Sequence, residues 1–206
     1  MALVFIAGAY LIGSIPFAIL ASLVMKLPDP RSYGSNNPGA TNVLRSGSTK
    51  AAVMTLVGDM GKGWLAVWLT QYFVPGQDFV VFLAALAVFL GHVFPVFLRF
   101  KGGKGVATAL GVLLALNVWV GLVALAVWLV VAIIFRYSSL AAMVAAVVAS
   151  IYSAFRVDMH APEILAAMVM TGLLIWRHVG NIKNLIAGTE PRIGGNRSRR
   201  EENDDD

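Results

Sequence analysis

Apolar runs of about twenty residues leave a chain little choice of fold, because a helix of that length, rising about 1.5 Å per residue, crosses about 30 Å of hydrocarbon. Six such runs lie at Leu3–Met25, Ala51–Val74, Phe79–Leu98, Val106–Phe135, Leu140–Phe155 and Ile164–Trp176, each bounded by charges, Pro or Gly. The composition agrees: 58% of the 206 residues are hydrophobic and 13% charged, whereas soluble domains carry about 25% charged residues. The expected fold is all-α, a polytopic membrane helical bundle.

The fourth run is too long for one upright pass, since its residues would extend about 45 Å as a helix. It is either one strongly tilted helix or two short passes turning near Asn117. Charge chooses between them, because cytoplasmic loops hold the excess of Lys and Arg. With two passes the chain has seven transmembrane helices, the N-terminus outside and the C-terminus cytoplasmic. All of the 16 basic residues except Arg156, outside, and Lys62, within a span, then fall on the cytoplasmic side. A single fourth pass would put Arg136 and the basic C-terminal segment outside. Seven passes also bring the four polar, Gly-rich segments 29–50, 99–105, 136–139 and 177–195 to one face, where they can build one site.

Several function classes drop out. With no cysteine and three histidines, the chain has no thiolate nucleophile or disulfide, and neither a metal nor a cofactor is expected. The first basic residue, Lys26, follows the first run, so that run reads as a retained span. The net charge of +5 does not point to nucleic acid. Residues 1–195 read as one integral-membrane domain, and 196–206 as a charged, disordered tail.

Three segments carry chemistry. The first, Tyr33-Gly34-Ser35-Asn36-Asn37-Pro38-Gly39-Ala40-Thr41-Asn42-Val43-Leu44-Arg45, concentrates hydroxyls, amides and a guanidinium that can donate to phosphate oxygens. The same residues also suit a plain turn. The second, Arg99-Phe100-Lys101-Gly102-Gly103-Lys104-Gly105-Val106-Ala107-Thr108, sets three glycines and three cations before a predicted helix, which suits either a phosphate cradle or a flexible turn. It lacks the Walker spacing. In the third, His178 and Asn181 are three apart and would share a face of a continued helix. His178 is a candidate base; equally, Arg177, His178 and Lys183 could serve the helix end and lipid headgroups. Within the spans, Asp59 and Lys62 read as a structural ion pair and His92 as a packed, hydrogen-bonded histidine.

These segments together resemble the bacterial acyl-phosphate:glycerol-3-phosphate acyltransferase family, PlsY. The resemblance runs from Gly13-Ser14-Ile15-Pro16 through 34–45 and 92–108 to Asn181-Ile182-Lys183 and Gly188-Thr189-Glu190-Pro191, nearly the whole chain. It implies Ser35, His178 and Asn181 as catalytic residues. Asn37, Thr41, Arg45, Lys101, Gly102, Gly103, Lys104, Gly105, Ser139, Lys183 and Glu190 would bind substrate or phosphate. Asn36 stands where many members have Gly, which bears on the turn after Ser35. Ala142 replaces another family hydroxyl, so only Ser139 is carried over from that corner.

The resemblance implies acylation of the 1-hydroxyl of sn-glycerol 3-phosphate by an acyl phosphate, giving lysophosphatidic acid and phosphate, the first acylation in phospholipid synthesis. Arg45, Lys104 and Lys183 would gather the anionic substrates at the cytoplasmic face of a bacterial inner membrane, among membrane lipids, with hand-over from an acyl-phosphate-forming enzyme. The glycerol hydroxyl would attack the acyl carbonyl directly while Ser35 and Asn37 position phosphate or stabilise the oxyanion. Its proton would pass to His178 or to a substrate phosphate; a Ser35 nucleophile is the weaker alternative. A transporter of a phosphorylated anion and an acyl-thioester donor are the rival readings.

Overall fold

The structure, a computed structural model, describes residues 1–194; Gly195 and the tail expected at 196–206 lie outside the described residues. Among the described residues every regular element is helical: α1 (Ala2–Gly13), α2 (Phe17–Val24), α3 (Ala40–Leu44), α4 (Thr49–Phe73), α5 (Asp78–Val93), a 3-10 turn (Val96–Leu98), α6 (Val106–Leu116), α7 (Val118–Phe135), α8 (Ser138–Ala154), α9 (Ala161–Arg177) and α10 (Val179–Ile186). The all-α expectation holds.

By length and apolarity, Asp78–Leu98 and Val118–Phe135 can each cross a membrane, and so can the bent pairs α1–α2 and α9–α10 if each is one span. Their surroundings differ. The first of these windows is 67% buried and the second 22%, so α5 is the central post and α7 lies at the edge. Helices α1, α4, α6 and α9 all pack on α5, around Val88 and Phe89, both 0% exposed. Glycines let backbones meet: a Cβ on Gly13 would strike Val88 O of α5, and one on Gly111 of α6 would strike Met60 O of α4.

The breaks between helices have local causes. Pro16 cannot continue the helix ladder, and α1 and α2 meet at 43°. The long fourth run breaks at Asn117, whose Oδ1 caps α7 by accepting from Trp119 N at 3.1 Å and Val120 N at 3.3 Å. Its Nδ2 donates to Asp158 Oδ2 at 2.9 Å, tying the break to the loop before α9. Helix α6 has 11 residues, and at about 1.5 Å per residue it covers about half the hydrocarbon thickness. The glycine segment before it therefore enters the bundle: Gly102, Gly103 and Gly105 are buried. That is a correction to the flexible-turn reading.

Candidate functional site

The four polar segments meet at one end of the bundle. The first loop is organised by Asn42, a residue that sequence reasoning passed over. Buried at 2% exposure, its Nδ2 donates to Pro30 O at 2.6 Å and Tyr33 O at 3.2 Å, while its Oδ1 accepts from Ser35 N at 2.9 Å. These bonds hold Ser35 on the loop's outer turn, exposed, with Asn37 half-buried nearby. Asn36 has φ 55°, the left-handed region that Gly favours and Asn tolerates. The departure from Gly thus keeps the turn. Thr41 Oγ1 lies 3.1 Å from Ser138 Oγ, joining the loop to the start of α8.

The glycine segment is laid along the end of α5. Gly102 N–H donates to Val93 O at 3.2 Å and Gly103 N–H to His92 O at 3.1 Å, so these two donors are engaged by carbonyls and not held open for phosphate. Gly105, at φ 86°, starts α6 without a side-chain cap, so that helix presents its first-turn N–H groups beside Lys104. Lys104 is half-buried. Burial lowers its pKa; the carboxylate of Glu190 opposes this, and the cations Arg177 and Arg45 add to it. Lys104, Arg45, Arg177 and Glu190 therefore share one electrostatic neighbourhood.

A chain of hydrogen bonds runs inward from Lys104. Its Nζ donates to Asn181 Oδ1 at 2.5 Å, and Asn181 Nδ2 donates to Glu190 Oε1 at 2.7 Å. The same Oε1 accepts from Ser139 Oγ at 2.5 Å. The Asn181 amide can bridge only in this orientation, oxygen to the cation and nitrogen to the carboxylate. Glu190 Oε2 is buried with no hydrogen-bond partner among the described residues. The segment carrying Glu190 is strapped across the α7–α8 corner: Ile193 N donates to Arg136 O at 2.6 Å, Arg136 Nη2 returns to Ile193 O at 2.9 Å, and the Arg192 guanidinium lies 5.5 Å from the Tyr137 ring centre.

Three expectations change here. Ser139 is 6% exposed with its hydroxyl engaged by Glu190, so it holds the carboxylate and is not placed as a substrate contact. Glu190, an anion, faces Asn181 and Ser139, a setting for anchoring Lys104 rather than for binding phosphate. His178 and Asn181 do not lie on a straight continuation of α9: the chain bends by 56° at His178, which starts α10, the helix that carries Asn181. His178 is 2% exposed and its Nδ1 lies 2.8 Å from Leu174 O. That bond places the proton on Nδ1 and leaves Nε2 as the acceptor. Burial lowers its pKa to about 4. Lys101 and Lys183 are exposed and stand outside this network among the described residues. Arg177 was read as a charge for the helix end and lipid headgroups, yet its Nη2 donates to Gly102 O at 3.2 Å and holds the glycine segment.

Comparison with known proteins decides the family. A family model described as Glycerol-3-phosphate acyltransferase matches residues 3–188. The chain belongs to the glycerol-3-phosphate acyltransferase family. A relative named glycerol-3-phosphate acyltransferase from Burkholderia pseudomallei is 61% identical over 188 residues, 91% of this chain and 93% of the relative. One of the same name from Janthinobacterium is 59% identical, covering 92% and 96%. Among solved structures, PlsY, an integral membrane glycerol 3-phosphate acyltransferase, superposes in its glycerol 3-phosphate form with a TM-score of 0.88 at 38% identity, covering 93% of this chain and 95% of that one. Its lysophosphatidic acid form superposes at 0.86 and 37% identity. Acyltransferases of this family are thus similar to the chain across nearly its whole length, and the matched residues take in the first three polar segments and the fourth as far as residue 188.

Proposed function

We propose that the chain transfers a fatty acyl group from an acyl phosphate to the 1-hydroxyl of sn-glycerol 3-phosphate, at the cytoplasmic face of a bacterial inner membrane, through a seven-pass bundle with the N-terminus outside. The observation that carries the reading is the cation group Arg45, Lys104 and Arg177 around an uncapped helix start, in a family whose solved member exists in glycerol 3-phosphate and lysophosphatidic acid forms. Two phosphorylated substrates need such a concentration of positive charge and N–H donors.

The low basicity of His178 supports the acyl phosphate donor. His178, with its pKa lowered to about 4, is neutral and weakly basic near pH 7, ill suited to strip a proton from an alcohol. An acyl phosphate needs little help, being an activated mixed anhydride. The glycerol oxygen forms the new ester bond, the bond from acyl carbon to phosphate oxygen breaks, and the hydroxyl proton passes to a phosphate oxygen of the substrates. Ser35 and Asn37, on the outer turn, position phosphate or the developing oxyanion. The acyl chain stays in the bilayer, which suits hand-over from a membrane-bound source of acyl phosphate.

The test is phosphate release by purified protein given palmitoyl phosphate, with and without glycerol 3-phosphate, alongside palmitoyl thioesters. Release that requires glycerol 3-phosphate and matches lysophosphatidic acid formation supports the reading. Turnover with thioesters but not with acyl phosphate overturns the donor.

A further inference from the structure

Asp59, Lys62 and His92 are ionisable side chains buried together within the spans, where charge is costly and a paired or functional role is the rule. Asp59 and Lys62 on α4 pair at 2.7 Å, and His92 at the end of α5 brings Nδ1 to 3.4 Å from the same carboxylate oxygen. The Lys62 ammonium also donates to Ile15 O at 2.8 Å. That carbonyl lies in the break between α1 and α2, where the N–H groups of Ile19 and Leu20 both turn to Pro16 O. The helix ladder passes Ile15 by, and Lys62 supplies the missing partner.

On its other side the cluster carries the glycine segment. His92 O accepts from Gly103 N–H at 3.1 Å, and the imidazole lies so close that a Cβ on Gly103 would run into Nε2. Lys104 is the next residue. A cavity of about 10 Å³, the space of one water, lies between Asp59, Lys62, His92, Gly103 and Pro38, so the first loop meets the same support.

We propose that Asp59, Lys62 and His92 form the positioning device for Lys104. Lys62 ties the cluster to the α1–α2 break, Asp59 orients His92, and His92 sets the path of Gly103 and hence the reach of Lys104 to Asn181. The cluster touches no substrate and acts through Lys104, so its kinetic role rests on the phosphate-binding task given to that lysine.

The test is a kinetic double-mutant cycle on full-length protein in detergent. His92→Leu removes the polar ring edge that faces Asp59, whereas His92→Asn keeps a polar group near its place. Expected is a loss of about tenfold in kcat/KM for His92→Leu, recovery to within about threefold for His92→Asn, and a His92→Leu loss below about threefold in a Lys104→Arg background. Equal fold-losses in both backgrounds, unchanged kinetics in His92→Leu, or no difference between Leu and Asn overturn the proposal. Where His92→Leu does not fold, Gly103→Ala, which presses on the same ring from the loop, replaces it in the cycle with the same readings. Wild-type protein that makes no lysophosphatidic acid counts against the assigned reaction and not against the cluster. In that event the readout is acetylation of Lys104 by a water-soluble amine reagent, quantified by mass spectrometry: faster labelling in His92→Leu supports the proposal, and an unchanged rate overturns it.

Discussion

The Lys104 ammonium is held by the Asn181 amide oxygen at 2.5 Å, across 77 positions of sequence. Among the described residues the lysine has no direct carboxylate partner; the amide stands between it and Glu190. This arrangement keeps the cation in place without neutralising it, as an anion-binding site requires. Asn181→Leu is expected to lower kcat/KM by about a hundredfold, in line with the loss of one preorganised donor, while the protein stays folded in the membrane. Turnover near wild type in a folded Asn181→Leu protein would show that Lys104 needs no such holder.

Arg45 and Lys104 are expected to be required separately. Arg45→Ala and Lys104→Ala should each lower kcat/KM by about a hundredfold to a thousandfold, with expression and detergent elution profiles unchanged. Steady-state kinetics over both substrates checks this. Near wild-type turnover in both variants contradicts the phosphate-binding assignment.

Ser139→Ala separates holding from contact. Its hydroxyl reaches only Glu190 in this network, so its loss should cost about 1 kcal/mol of stability and less than about tenfold in activity. Ser35→Ala, on the exposed turn, should cost more activity and less stability. Thermal midpoints measured beside kcat/KM decide the order; the reverse order would return Ser139 to the substrate.

Acid should loosen the joint between α9 and α10. His178 lies beyond the last apolar run, and burial lowers its pKa from 6.5 to about 4. Between those values the unfolded chain binds the proton that the folded one refuses, so stability falls as pH drops from 6.5 toward 4. The full effect is about 3 kcal/mol. His178→Gln should remove it, seen as a smaller fall in thermal midpoint between pH 7 and pH 4. An identical fall in both proteins would mean that His178 protonates freely.

Legibility followed the range of the interactions. The break at Asn117 could be read from the length of the fourth run and the distribution of charge, and the structure adds that Asn117 caps the helix that follows it; Pro16 stands in the break after α1. The bend at His178 falls on neither a Pro nor a Gly, and Gly180 two residues later lies inside α10, so the sequence does not mark the joint itself. The gathering of polar segments at one end followed from charge and span count. Which hydroxyl meets substrate and which meets Glu190 did not, because Ser139 and Glu190 are 51 residues apart. Asn42 looked like one more polar loop residue; only the fold shows its amide serving Pro30, Tyr33 and Ser35. The glycines of 102–105 were legible as a close approach, but the surface approached is α5 as much as any ligand.

The strap over the α7–α8 corner also orders events in time. Glu190 follows Lys104, Ser139, Asn181 and every described helix in the chain, so the residue that locks the network is the last of its members to be synthesised. A nascent chain stopped before the strap would hold its helices but lack the Glu190 lock on Asn181 and Lys104, so membrane insertion and the onset of catalysis become separable steps.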